Sequence, residues 1–120
     1  MSATDNYYFI GVKGPSGDAP ANYPGNFEFR LAPGGGLQFG HQFTETTNIV
    51  FFGSTGTVPA LEWHHIALTL NGGTGGNFYI DGVNAGSFAD TSVFGITNDN
   101  PLIVGTRADG YSNFNGWMDD

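Results

Sequence analysis

The sequence predicts an all-β fold, a sandwich or barrel of antiparallel strands, and three observations carry that expectation. Short segments of alternating apolar and polar residues recur between turn signals, as strands with one buried face do. Glycine and proline, 20 and 6 of 120 residues, interrupt almost every window in which a helical period could develop. Asp81-Gly82 stands between two alternating segments, and this dipeptide is the strongest short hairpin signal, because a type I′ turn needs positive φ at both central residues. The length suits one domain able to bury roughly two-thirds of its extended-chain surface, and 11 phenylalanines supply material for a core.

The elements follow in order. Tyr7–Val12 reads as a first strand. Residues 13–25, KGPSGDAPANYPG, carry three prolines and read as a loop. In Asn26–Leu31, Phe27, Phe29 and Leu31 share one face while Glu28 and Arg30 share the other, the pattern of a half-buried strand. PGGG at 33–36 is a turn. Leu37–Phe43 places Leu37, Phe39, His41 and Phe43 on one face, and Asn48–Phe52 is a further apolar run. Trp63–Leu70 is a strand, NGGTGG at 71–76 a turn, Asn77–Ile80 and Val83–Phe88 the arms of the Asp81-Gly82 hairpin. Pro101–Thr106 and Asn115–Asp120 complete the set. No composition shift marks a second domain, and no fixed-period repeat is present.

Composition excludes several functions. Three basic against 11 acidic residues give a net charge of −8, so phosphate backbones and anionic membrane surfaces are repelled. Without cysteine there are no disulfides, zinc-thiolate sites or thiol catalysis. No apolar run reaches transmembrane length, and MSATDNYYF lacks the basic region and apolar core of a signal peptide; the chain reads as soluble and carrying no targeting segment of its own. GGTGG and PGGG precede no helical pattern, so phosphate-loop readings fail.

LEWHHIALTL, residues 61–70, sets two histidines side by side. Successive strand side chains point to opposite faces, so His64 falls with Ile66, Leu68 and Leu70, and His65 with Trp63, Ala67 and Thr69. Two imidazoles on opposite faces cannot share a metal, and the pair reads as structural.

The blocks WHHIALTLNG, NFYIDGVNAGS, PLIVGTRADG and FNGWMDD, in order over 63–120, resemble the laminin-G-like, concanavalin A-like family; FIGVKG and FEFRLAPGGGLQFG are similar to its earlier strands. The resemblance implies an antiparallel jelly-roll β-sandwich of the concanavalin A-like kind, an extracellular setting, and a single domain over 1–120 incomplete at both termini. It places Trp63 in the core and makes Asp119 a structural carboxylate. Terminal strands missing from the family pattern imply exposed edges, hence a homo-oligomer.

Chemistry is sparse. Glycoside hydrolysis needs two carboxylates around one bond; Glu28, Glu45 and Glu62 are isolated, Asp119 and Asp120 alternate faces, and no G-x-S-x-G element is present. The expectation is a non-enzymatic carbohydrate-binding or adhesion module, with a structural unit completed by oligomerisation, or an accessory part of a larger secreted protein, as alternatives. Exposed aromatics with amide neighbours are the usual sugar-contacting set, which selects Tyr111, Asn113 and Trp117, with Tyr23 in the long loop as a further candidate. Asn98, Asp99 and Asp109 offer oxygen ligands of the kind calcium takes, although Asn and Asp also simply form turns. The acidic total favours a neutral glycan or a protein surface as partner.

Overall fold

Alternation, turn chemistry and bulges together produce two antiparallel sheets, and no helix occurs among the described residues. The computed structural model of the protein describes residues 7–14, 26–42, 49–92, 98–107, 110 and 112–119. The strands are β1 (Tyr8–Lys13), β2 (Phe27–Leu31), β3 (Gly36–His41), β4 (Val50–Thr57), β5 (Ile66–Asn71), β6 (Gly75–Ile80), β7 (Val83–Phe88) and β8 (Leu102–Val104). A large sheet has the order β4-β3-β2-β1-β8 and a small sheet β5-β6-β7.

The alternation in β2 and β3 sends Phe27, Phe29, Leu31, Leu37 and Phe39 inward, where they meet Phe78, Ile66, Leu68, Ile80 and Phe88 from the small sheet. Phe88 stacks on Phe52 with ring centroids 4.3 Å apart and tilts against Phe78 at 5.4 Å. Asp81 and Gly82 both have positive φ, 52° and 78°, the requirement of the type I′ turn.

Four expectations change. The polar face of β2 is not open to water: Glu28 is buried and pairs with Arg30 at 2.7 Å. The Arg30 guanidinium lies 3.9 Å from the Tyr7 ring centroid and 4.5 Å from that of Phe51. A register shift between Phe9 and Gly11 lets β1 contribute Ile10 to the core and Val12, opposite Glu28, to the outer face. Second, β4 continues to Thr57 through residues that look like a turn. Three of them, Ser54, Thr55 and Gly56, sit where β3 supplies Leu37 alone, and the Ser54 hydroxyl accepts the Leu37 N–H at 2.9 Å in place of a backbone carbonyl. Third, β5 begins at Ile66, so Trp63 precedes it and is 70% exposed, outside the core. Fourth, 115–119 is not a strand; Phe114 donates its N–H to the Gly105 carbonyl at 2.7 Å, and the chain then runs along the surface. Phe43, Asn48 and Asp120 lie outside the described residues.

One long edge of the sandwich is closed. β7 packs on β4, Thr55 donates its hydroxyl to the Ala85 carbonyl at 3.0 Å, and a bulge at Ala85–Gly86 gives Gly86 a φ of 143°. A Cβ at Gly86 would stand 2.9 Å from the Thr55 nitrogen, so only glycine allows this approach. Beside it His41, buried in the large sheet, meets Asp90 just after β7 at 2.5 Å. Burial alone would raise the Asp90 carboxyl, but hydrogen bonds from Ser92 and the His41 ring hold it below the ordinary value.

Candidate functional site: an open groove at the other edge

Three strands laid against five from the β4 side stop before reaching β1 and β8. The inner faces of β1, β2 and β8, the approach to β5 and the segment 114–119 therefore bound an open groove of about 1050 Å³. Its floor is apolar: Ile10, Phe29, Leu31, Val58, Ile66 and Val104 all line it. Its mouth carries Trp63 and, at 85% exposure, Trp117, together with Leu61 and Met118. The polar lining is acidic or neutral, from Glu62, Asp119, Asn115 and the two histidines, with no lysine or arginine.

Local sequence explains the mouth. Leu61 takes a left-handed conformation, φ 72°, which turns the chain before β5. The Asp81 N–H bonds the His65 carbonyl at 2.7 Å, and the Asp81 carboxylate accepts the His65 N–H at 2.9 Å and a second bond from His64 Nδ1 at 2.8 Å. A carboxylate only accepts, so Nδ1 carries the proton there. Those bonds, the His64 one first, hold the Asp81 carboxyl below its ordinary value. His64 is nine-tenths buried, and its Nε2 has no hydrogen-bond partner among the described residues; Glu62 Oε2 stands 4.0 Å away. His64 turns in and His65 is exposed, the opposite sides that alternation predicts, although both residues precede β5.

Those of the residues singled out from sequence that are described are not gathered in one place. Trp117 is at the groove mouth. Asn113 is exposed, and its side-chain oxygen accepts the Thr106 hydroxyl at 2.6 Å. The Asn98 amide donates to Asn26 at 3.0 Å and accepts the Asn100 N–H at 3.0 Å, stapling its turn to the start of β2; Asp99 is exposed beside it. Tyr23, Asp109 and Tyr111 lie outside the described residues. Among the described residues no group of three or more His, Asp or Glu side chains is disposed to hold a metal ion. Sequence reasoning missed Leu61, Glu62 and Trp63 as groove residues and the His64–Asp81 pair. The hairpin register, which sets residue 65 opposite 81, is the signal that could have found the pair.

The family profile described as the concanavalin A-like lectin/glucanases superfamily, of the laminin G type, matches residues 2–120. No curated protein and no solved structure matches the chain. With nearly its whole length matched, the chain belongs to this superfamily, and its two antiparallel sheets agree with the concanavalin A-like sandwich.

Proposed function

Proceeding from that membership, we propose that the domain is a non-catalytic recognition module of the carbohydrate-binding or adhesion kind, with the groove as its working surface. The observation that carries this is the pair of tryptophans, 70% and 85% exposed, at the mouth of an apolar groove. Large apolar side chains gathered in the open around one groove point to an interaction site, where the same residues scattered singly would not. The non-catalytic part is supported by the sequence, where Glu28, Glu45 and Glu62 stand apart and no strand carries clustered carboxylates of the kind that flank a glycosidic bond.

Both halves of the proposal use the same residues. A neutral sugar would stack a ring face on Trp63 or Trp117 and bond its hydroxyls to Asn115, Glu62 or Asp119. A polypeptide would place apolar side chains on the floor. An array carrying neutral glycans and extended peptides, probed with the full chain, is expected to give signal in one class that Trp63→Ala and Trp117→Ala abolish. No signal, or signal that survives both substitutions, overturns the proposal.

A further inference from the structure

The four outer strands of the two sheets are not alike. β4 and β7 carry register shifts, and β8 has three residues; bulges and shortness are how sheet edges avoid adventitious pairing. β5 has neither. It pairs with β6 in unbroken register over six residues, and its sequence, IALTLN, contains no charge and no proline. The His65 carbonyl points to β6, so antiparallel alternation turns the N–H and C=O groups of Ile66, Leu68 and Leu70 to the other side. Among the described residues no strand lies there. The groove opens at the start of that edge, where Ile66 lines it together with His64 and His65, and the buried Nε2 of His64 has no hydrogen-bond partner among the described residues.

From these observations we infer that the free edge of β5 accepts one extended segment of a separate polypeptide, in which apolar residues alternate with Lys or Arg. The inference rests on reading the groove as the working surface, and it names the partner. Width sets the shape of the occupant. Two strands of the large sheet extend beyond the small one, about 10 Å at the spacing of neighbouring strands, room for one or two strands and not for a domain. A second copy pairing its own β5 antiparallel would be related by a two-fold normal to the small sheet. Its large sheet would then fall on the same side, in the space that β1 and β8 occupy. Period-two alternation follows from strand geometry: one face of the segment meets the floor of Ile10, Phe29 and Leu31, and the other faces water. Charge sets the sign. Glu62 and Asp119 line the groove with no lysine or arginine beside them, and the chain as a whole is −8, so a cationic segment is attracted and an acidic one repelled.

The test uses the full chain and a blocked seven-residue peptide alternating valine and lysine. Its controls are the same peptide with glutamate for lysine and a scrambled peptide that breaks the alternation. Tryptophan fluorescence follows binding, and hydrogen exchange reads single amides. The lysine peptide is expected to bind at least about tenfold tighter than either control, more weakly as salt is raised, and to protect the Ile66, Leu68 and Leu70 amides. Leu70→Pro, which removes an outward N–H without touching the β5–β6 ladder, is expected to weaken binding while leaving the circular dichroism spectrum intact. Equal affinity for lysine and glutamate peptides, no binding, or no protection of those amides overturns the inference. Protection that appears without peptide as the chain is concentrated also overturns it and makes the occupant a second copy. If the peptide fails and a neutral glycan shifts the tryptophan fluorescence, only the partner is wrong; if neither ligand moves it, the recognition surface falls as well.

Discussion

The two long edges of this sandwich are built from opposite kinds of residue. At the closed edge, where β7 meets β4, the contact is made by Gly56, Ala85 and Gly86, small enough for backbones to approach, and the gap behind them is filled by stacked Phe52 and Phe88. At the open edge the residues are large: Leu61, Trp63 and Trp117 stand exposed around an apolar floor. The closed edge also satisfies its polar groups, pairing His41 with Asp90 and Asp90 with Ser92, whereas at the open edge His64 Nε2 has no hydrogen-bond partner among the described residues. Large apolar side chains that no second layer covers among the described residues, beside a strand edge that none of them pairs, suit a surface that is completed by something else. Small residues that draw two sheets together suit a surface that is already finished.

The comparison is broken most easily at the closed side. Phe78 is fully buried and lies under Phe88. Phe78→Ala is expected to cost about 3–5 kcal/mol, the range for removing a large aromatic from a packed core, measured by urea unfolding. A cost below about 1 kcal/mol would mean that the core does not sit where the two sheets overlap. Gly86→Val comes next. It combines a φ that side chains avoid with a Cβ placed 2.9 Å from the Thr55 nitrogen, and is expected to cost about 2–3 kcal/mol. Gly110→Ala, where φ is also positive but a Cβ would meet open space, separates the two causes and is expected to cost only about 1 kcal/mol.

How much of this was legible follows the same division. The closed half is written in periodicity: Phe27, Phe29 and Leu31 alternate, Leu37 and Phe39 continue the face, and Asp81-Gly82 fixes the hairpin. These are local rules, and the strands obey them. The second half of β4 was not legible, because Gly53–Gly56 is composed like a turn; what makes it strand is the Ser54 hydroxyl accepting the Leu37 N–H, a contact 17 residues apart that no local pattern encodes. The open half misled in another way. Trp63 reads as a core residue by family likeness, but exposure depends on whether a second layer covers it, which is a property of the sheet order. Of the described residues chosen for a site, Asn98, Asp99, Asn113 and Trp117, only Trp117 lines the groove; Asn98 and Asn113 carry amides that also serve as turn staples, and nothing in the sequence separates the two uses.

Acid sharpens the contrast through Asp90 and Asp81. Both carboxyls have folded-state values below the ordinary one. As pH falls below about 3.9, the unfolded chain takes up protons before the folded one does. The stability these groups confer is therefore complete above that value and lost as pH falls through the lower folded values. Asp90→Asn keeps the shape but removes the charge facing His41. It is expected to cost about 1–2 kcal/mol near neutral pH and to flatten the loss of stability between pH 4 and 2. Asp81 is exposed, so Asp81→Asn is expected to change the acid limb less. An Asp90→Asn protein whose stability parallels the parent at every pH would show that the His41 pair does not hold the closed edge.

The smallest expected effect is the most diagnostic. Trp117 is the more exposed of the two tryptophans at the groove mouth, at 85%, so truncating it removes little that the folded chain has taken out of water. Trp117→Ala is expected to shift unfolding free energy by no more than about 0.5 kcal/mol, the usual span for surface changes, measured at micromolar protein so that weak association contributes nothing. The same substitution in a packed core would cost about 3–5 kcal/mol. A loss above about 2 kcal/mol would therefore mean that the groove is closed in solution, and that the open edge is as finished as the other. A near-zero loss, paired with loss of ligand signal in the same protein, would separate the two roles in one residue: a side chain that contributes little to the fold because its contact is with another molecule.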